Sequence, residues 1–158
     1  MSNIKNQAYS SCDPLTDNQV LEAAAEILAC KYVRQDAFCS SEATKDFLKF
    51  KLGKYEREVF AVMLLDSQHK LIDYQELFFG TINAASVYPR DVVKAVLTEN
   101  AAAVIFAHNH PSGEAEPSQA DIAITKRLQS ALELIDVPVL DHIIIGETAT
   151  SLAERGLI

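Results

Sequence analysis

Two short, uninterrupted apolar runs set the limits on what this chain can fold into: Val59–Leu65 (VFAVMLL) and residues 102–107 (AAVIFA). Each is short for a buried helix and too continuously apolar for a strand with one wet face, so both read as strands covered on both sides. Covering two faces of a sheet takes helices, and helical periodicity surrounds the runs. Val20, Ala23, Ala24, Ile27, Leu28 and Tyr32 recur at helical spacing from an N-cap at Thr16 or Asp17 to about Arg34. A second helix is expected from Ser40 or Ser41 up to Gly53, a residue that tolerates positive φ just past a helix end. Its apolar side would carry Phe47, Leu48 and residues 50–52.

After a turn at Asp66-Ser67-Gln68-His69, Leu71–Phe79 reads as the hairpin partner of the first run and ends at Gly80. Residues 81–88 lead to Pro89, a good first residue for a helix over 89–100 that presents Val92, Val93, Val96 and Leu97. A helix over 118–135, with Ile124, Leu128, Ala131 and Ile135 on one face, precedes a last clear strand over 137–146. Strands alternating with helices give an α/β layered domain with at least one hairpin. The polar residues 1–14 read as a loose leader.

At 158 residues, 49% of them hydrophobic, the chain has enough apolar material for one core and no room for a second large domain. Its 22 acidic against 14 basic residues give a net charge of −8, a field that repels polyanions and disfavours direct nucleic-acid binding. Lys45, Lys49, Lys51, Lys54 and Arg57 form a local basic cluster, read as a solvated helix end rather than a binding patch. Cys12, Cys30 and Cys39 are odd in number and include no C-x-x-C, which points to reduced thiols rather than a disulfide framework. There is no apolar run suited to a signal peptide or a membrane span, so a cytoplasmic protein that does not enter membranes is expected.

The chemistry concentrates in AHNHPSGEAEPSQADIAITKRL. His108 and His110 are two apart, so in an extended segment both imidazoles point to the same side and can reach one ion. Asp121 opens the next helix, and Pro111, Gly113 and Pro117 allow the intervening loop to fold back. Two histidines and one carboxylate meet the count of a hydrolytic zinc site, with the fourth position left to water. Ser118-x-x-Asp121 also reads as a helix start, with Ser118 capping and Asp121 in the first turn. Capping alone does not account for an apolar strand that delivers two histidines into the same loop. His69 falls in a turn and reads as solvent-facing; His142, beside Asp141 in LDHIIIG, reads as a satisfied core imidazole or one that supports a ligand. A proton acceptor is still needed. Glu58, at the head of the first apolar run, leads Glu56, Glu76, Glu114 and Glu116 on its place at a core edge, where a carboxylate can have a raised pKa.

Glu58 followed by His108-x-His110-x7-Ser118-x2-Asp121 resembles the metal signature of the JAB/MPN (JAMM) zinc metalloproteases, with no departure in spacing. The stretches from LFFGTINAASVYPRDVV through AHNHPSG, and LDHIIIG, are similar to the bacterial RadC-like branch over residues 37–158. The resemblance implies a JAB/MPN fold, a mixed sheet layered with flanking helices as in cytidine deaminases, over 37–158, with 1–36 as leader and helix. It implies zinc held by His108, His110 and Asp121, Glu58 as general base, and Ser118 helping to stabilise an oxyanion. The activity implied is peptide or isopeptide hydrolysis, with a protein or peptide as substrate. Longer members carry a preceding helical domain, for which residues before 37 have room only for the helix around 16–35. The rival readings are a DNA-repair-associated accessory protein, the historical association of the RadC name, and a non-catalytic interaction module. A base deaminase is disfavoured, since those use H-x-E with P-C-x-x-C.

Overall fold

The computed structural model describes residues 16–35, 41–80 and 87–158. The leader over 1–14, Cys12, Cys39, the alternative cap Ser40, residues 81–86 and the side chains of Cys30 and Tyr32 lie outside the described residues. The elements run α1 (Asp17–Gln35), α2 (Ser41–Leu52), β1 (Val59–Leu65), β2 (Leu71–Phe79), α3 (Pro89–Thr98), β3 (Ala103–Asn109), α4 (Gln119–Glu133), β4 (Val139–Ile145) and β5 (Ala149–Ser151). One five-stranded sheet has the order β2-β1-β3-β4-β5. β1 pairs antiparallel with β2 and β3, α4 carries the chain to a parallel β4, and β5 returns antiparallel. This is the layered mixed sheet with flanking helices that the resemblance implies.

The two apolar runs become the adjacent central strands β1 and β3, and every residue of both is buried. Because side chains alternate across a strand, each run feeds two cores. Val59, Ala61, Met63 and Leu65 meet Ala103, Ile105 and Ala107 on the side of Phe47, Leu48 and Leu52 from α2. Phe60, Val62 and Leu64 meet Val104 and Phe106 on the other side, under Val92 and Val96 of α3 and Ile124, Leu128 and Leu132 of α4. By this parity, His108 faces α4.

Several expectations need correction. In α1, Val20 and Ile27 are exposed, and among the described side chains Ala25 is the buried one; the run Ala23-Ala24-Ala25 offers nearly equal faces, so spacing alone does not set its phase. Leu97 is also exposed while Ala95 packs, and in α4 Leu132 takes the place expected of Ala131. Gly53 does end α2, but not through positive φ, which among the glycines belongs to Gly80, Gly113 and Gly156. A Cβ at Gly53 would stand 2.6 Å from the Lys49 carbonyl oxygen. His69 does lie in the β1–β2 turn, at φ 59, though partly covered. β5 was not expected; three residues are too few for a readable alternation.

The basic cluster is not a single solvated face. Lys45 is buried and its Nζ lies 2.8 Å from Glu154 and 3.4 Å from Glu42. Lys54 pairs with Glu22 at 3.6 Å, Lys51 sits over the rings of Phe47 and Tyr74, and Arg57 lies over Phe79. Acidic and aromatic partners thus take up most of these cations.

The loop after β3 is pinned to the end of β4. His110 N–H donates to the Ile145 carbonyl at 2.8 Å and Glu147 N–H donates to the Gly113 carbonyl at 2.7 Å. This approach leaves no space at Gly146, where a Cβ would fall 2.2 Å from the Gly113 oxygen. Gly146→Ala is therefore expected to lower stability by about 1–3 kcal/mol, the usual cost of forced overpacking, as read by urea unfolding. An unchanged unfolding midpoint would show that the loop moves aside freely.

Candidate metal centre

The site forms where the head of β1, the end of β3 and the start of α4 meet. β3 runs through His108 and Asn109, so the first histidine sits on the strand and His110 follows just beyond it. Phe60 is the cross-strand partner of His108, and Glu58 lies just before β1, two residues from Phe60. Glu58 is close enough for its charge to act on the His108 ring. The backbone on either side of Glu58 is clamped by Asn109. Its Nδ2 donates to the Arg57 carbonyl at 3.0 Å and the Tyr55 carbonyl at 3.2 Å, and its Oδ1 accepts from Val59 N–H at 2.8 Å.

Ser118 is the N-cap of α4 and Asp121 its third residue, in a reciprocal capping box. The Asp121 amide donates to Ser118 Oγ at 3.1 Å; the Ser118 amide and hydroxyl donate to Asp121 Oδ2 at 2.7 and 2.6 Å. Capping and site-building are thus one arrangement. The hydroxyl proton of Ser118 is directed at Asp121, and serving an oxyanion would require that bond to be exchanged.

His108 Nε2 lies 3.2 Å from Asp121 Oδ1, His110 Nε2 lies 3.6 Å from Oδ2, and the two Nε2 atoms are 2.9 Å apart. One donor atom from each residue falls within 4.8 Å of the others, a cluster that can hold a metal ion. The partners of His110 fix its tautomer. Its Nδ1 is 2.7 Å from the Glu114 carbonyl oxygen, which only accepts, so Nδ1 carries the proton and Nε2 of the neutral ring is a bare lone pair. Two ring nitrogens 2.9 Å apart cannot both keep a bare lone pair unless a cation lies between them, and an N,N,O donor set with one carboxylate suits zinc. By this donor chemistry the residues fit the ion.

His108, His142 and Thr125 are wholly buried, and Asp121 is nearly so. Burial holds His108 below its ordinary pKa of 6.5 despite the opposing bond and charge of Asp121. Burial, which is complete at His142, holds that ring further below. Burial alone would raise the Asp121 carboxyl, but the His108 and Ser118 contacts outweigh it and keep it below the usual carboxylate range. His142 packs as the sequence implied, with Nε2 2.8 Å from His108 Nδ1 and Nδ1 2.6 Å from Thr125 Oγ1.

Sequence reasoning missed Asn109 and Thr125. The available signal was polarity at a buried position: Asn109 is the polar end of an apolar strand, and Thr125 shares a helix face with Ile124 and Leu128.

The lowered histidines make stability depend on pH in a definite direction. They stay neutral when folded and protonate on unfolding, so the unfolded chain binds more protons below its pKa near 6.5. Chelator-treated protein should keep this part of its stability above about pH 6.5 and lose it as pH falls further, by up to about 1.4 kcal/mol per pH unit for each such histidine. Urea unfolding between pH 7.5 and 5 checks this, and a His142→Phe variant should show the shallower slope. A flat profile in the unsubstituted protein would contradict the burial argument.

The comparisons with known proteins follow this geometry. Residues 38–157 match the family model described as RadC-like JAB domain. A UPF0758 protein of Vibrio cholerae is 61% identical over 154 residues, covering 98% of both chains, and another from the same organism is 54% identical over 156 residues, covering 99% of both. A UPF0758 protein of Marinomonas sp. is 57% identical over 140 residues, which are 88% of this chain and 62% of that longer one. No helix among the described residues is long and apolar enough to cross a membrane. With the matched model spanning most of the chain and full-length relatives at this identity, the chain belongs to the RadC-like JAB domain family, the UPF0758 proteins.

Proposed function

We propose that the chain is a zinc-dependent metallohydrolase of the JAMM type, acting on peptide or isopeptide bonds. The observation that carries this reading is the convergence of His108 Nε2, His110 Nε2 and an Asp121 oxygen within 4.8 Å, with the charge of Glu58 near enough to act on the His108 ring. His108, His110 and Asp121 hold the ion, and Ser118 holds Asp121. When bound, zinc supplies Lewis acidity and brings the pKa of its water towards about 7. Glu58 accepts a proton from the attacking water and delivers it to the leaving amine nitrogen, so one carboxylate serves both proton transfers. Asn109 fixes the backbone on both sides of Glu58 and so limits where that carboxylate can reach. Ser118 can donate to the developing oxyanion by turning its hydroxyl away from Asp121.

A protein or peptide substrate is supported by charge. The net charge of −8 disfavours a nucleic acid, and the basic cluster has acidic and aromatic partners of its own. The unpaired count of cysteines supports a reducing, cytoplasmic setting.

Two variants test the reading. In a peptide and isopeptide library with zinc present, Glu58→Gln should keep one equivalent of zinc yet lose about 10²–10⁴-fold in kcat/KM. The double variant His108→Ala His110→Ala should lose the zinc itself. Equal activity of wild type and Glu58→Gln removes Glu58 from the mechanism; zinc bound without hydrolysis in either favours an interaction module; full zinc content in the double variant overturns the ligand assignment.

A further inference from the structure

Beyond the triad, a buried chain of hydrogen bonds starts on one proposed ligand and ends on another. It runs from the main-chain oxygen of Asp121 to Thr125 Oγ1 at 2.5 Å, on to His142 Nδ1 at 2.6 Å, and from His142 Nε2 to His108 Nδ1 at 2.8 Å. We infer that Thr125 and His142 are positioning residues that select the tautomer of His108 and so present its Nε2 to the metal. This rests on the metal reading given above.

The direction of the chain follows from its first link. A carbonyl oxygen has no proton to give, and two oxygens 2.5 Å apart need one between them, so the Thr125 hydroxyl donates to Asp121. Its oxygen is then left to accept, and the partner in reach is His142 Nδ1–H. With Nδ1 protonated, Nε2 of the neutral His142 ring is an acceptor, and the proton shared with His108 belongs to His108 Nδ1. His108 therefore turns a bare Nε2 toward Asp121 and His110. Thr125, His142 and His108 are 0% exposed, so bulk water does not compete for these bonds. Phe60 and Phe106 make T-shaped contacts with the His142 ring, with centroids at 5.6 and 6.0 Å, and confine it on those sides.

Both His142 nitrogens are engaged, which separates it from the ligands. Removing the Thr125 hydroxyl frees the ring to take the opposite tautomer. His142 would then donate from Nε2 to His108 Nδ1, placing the remaining His108 proton on Nε2, where it blocks coordination. Because the chain begins on the Asp121 backbone, it also ties the ring of His108 to the position of α4.

Two measurements test this. Long-range ¹H–¹⁵N correlation spectra of the metal-free protein read the tautomer directly: His142 should carry its proton on Nδ1, and an Nε2–H tautomer overturns the inference. Zinc affinity, measured by competition with a chromophoric chelator, should fall about 10–100-fold in Thr125→Val and in His142→Phe. His142→Gln should recover most of it, because its amide oxygen can accept from His108 where Nε2 did. Wild-type affinity in both Thr125→Val and His142→Phe, with thermal melts showing folded protein, overturns the relay alone. Failure of zinc to bind the wild type overturns the metal reading and this role with it. Should His142→Phe not fold, the isosteric Thr125→Val decides by itself.

Discussion

Asp121 lies in the first turn of α4, where its carboxylate closes the capping box with Ser118 and also faces two imidazoles at the end of β3. The rest of the site depends on this double attachment. A helix start has amides in need of acceptors, and a carboxylate there is favoured by the dipole. That local preference places a negative charge in a nearly closed space, where burial opposes it. The charge is kept because the Ser118 amide and hydroxyl both donate to it, so the helix cap holds the carboxylate where the two imidazoles face it. The sheet makes the meeting possible: β3 ends at Asn109 just where α4 starts above it, and the parallel β4 is reached only by way of that helix.

Much of this was legible in the sequence, for a physical reason. Runs such as Val59–Leu65 are unambiguous because burial on both faces removes the alternation that usually blurs strand and loop. His108, His110 and Asp121 were legible because chemistry fixes their spacing, and strand geometry then brings the imidazoles together. What stayed hidden was whatever depends on tertiary partners. The phase of α1 is set by contact with α2 rather than by its own alanines. Lys45 reads as a surface cation until Glu154, from the far end of the chain, is placed beside it. Thr125 reads as one more residue on a helix face whose hydroxyl bonds back to the Asp121 carbonyl, and only the arrival of His142 from β4 gives its oxygen a second partner.

Asn109 shows how compact the arrangement is. It stands between the two histidines, and strand alternation turns it to the opposite face of the sheet. There it bonds to the backbone of the segment that carries Glu58. One three-residue stretch, His108-Asn109-His110, therefore supplies two proposed ligands on one side and the anchor of the proposed base on the other. Substitution within this stretch will disturb more than one of these functions at once, so variants at Glu58, Thr125 and His142 separate them more cleanly.

We propose that one ion is held through the Nε2 atoms of both histidines and the Asp121 carboxylate. Anomalous diffraction at the zinc edge from crystals grown with one equivalent of zinc tests it most directly. A single strong peak is expected about 2.0–2.2 Å from His108 Nε2, His110 Nε2 and an Asp121 oxygen. A peak elsewhere, one bonded through Nδ1, or none at this position would contradict it.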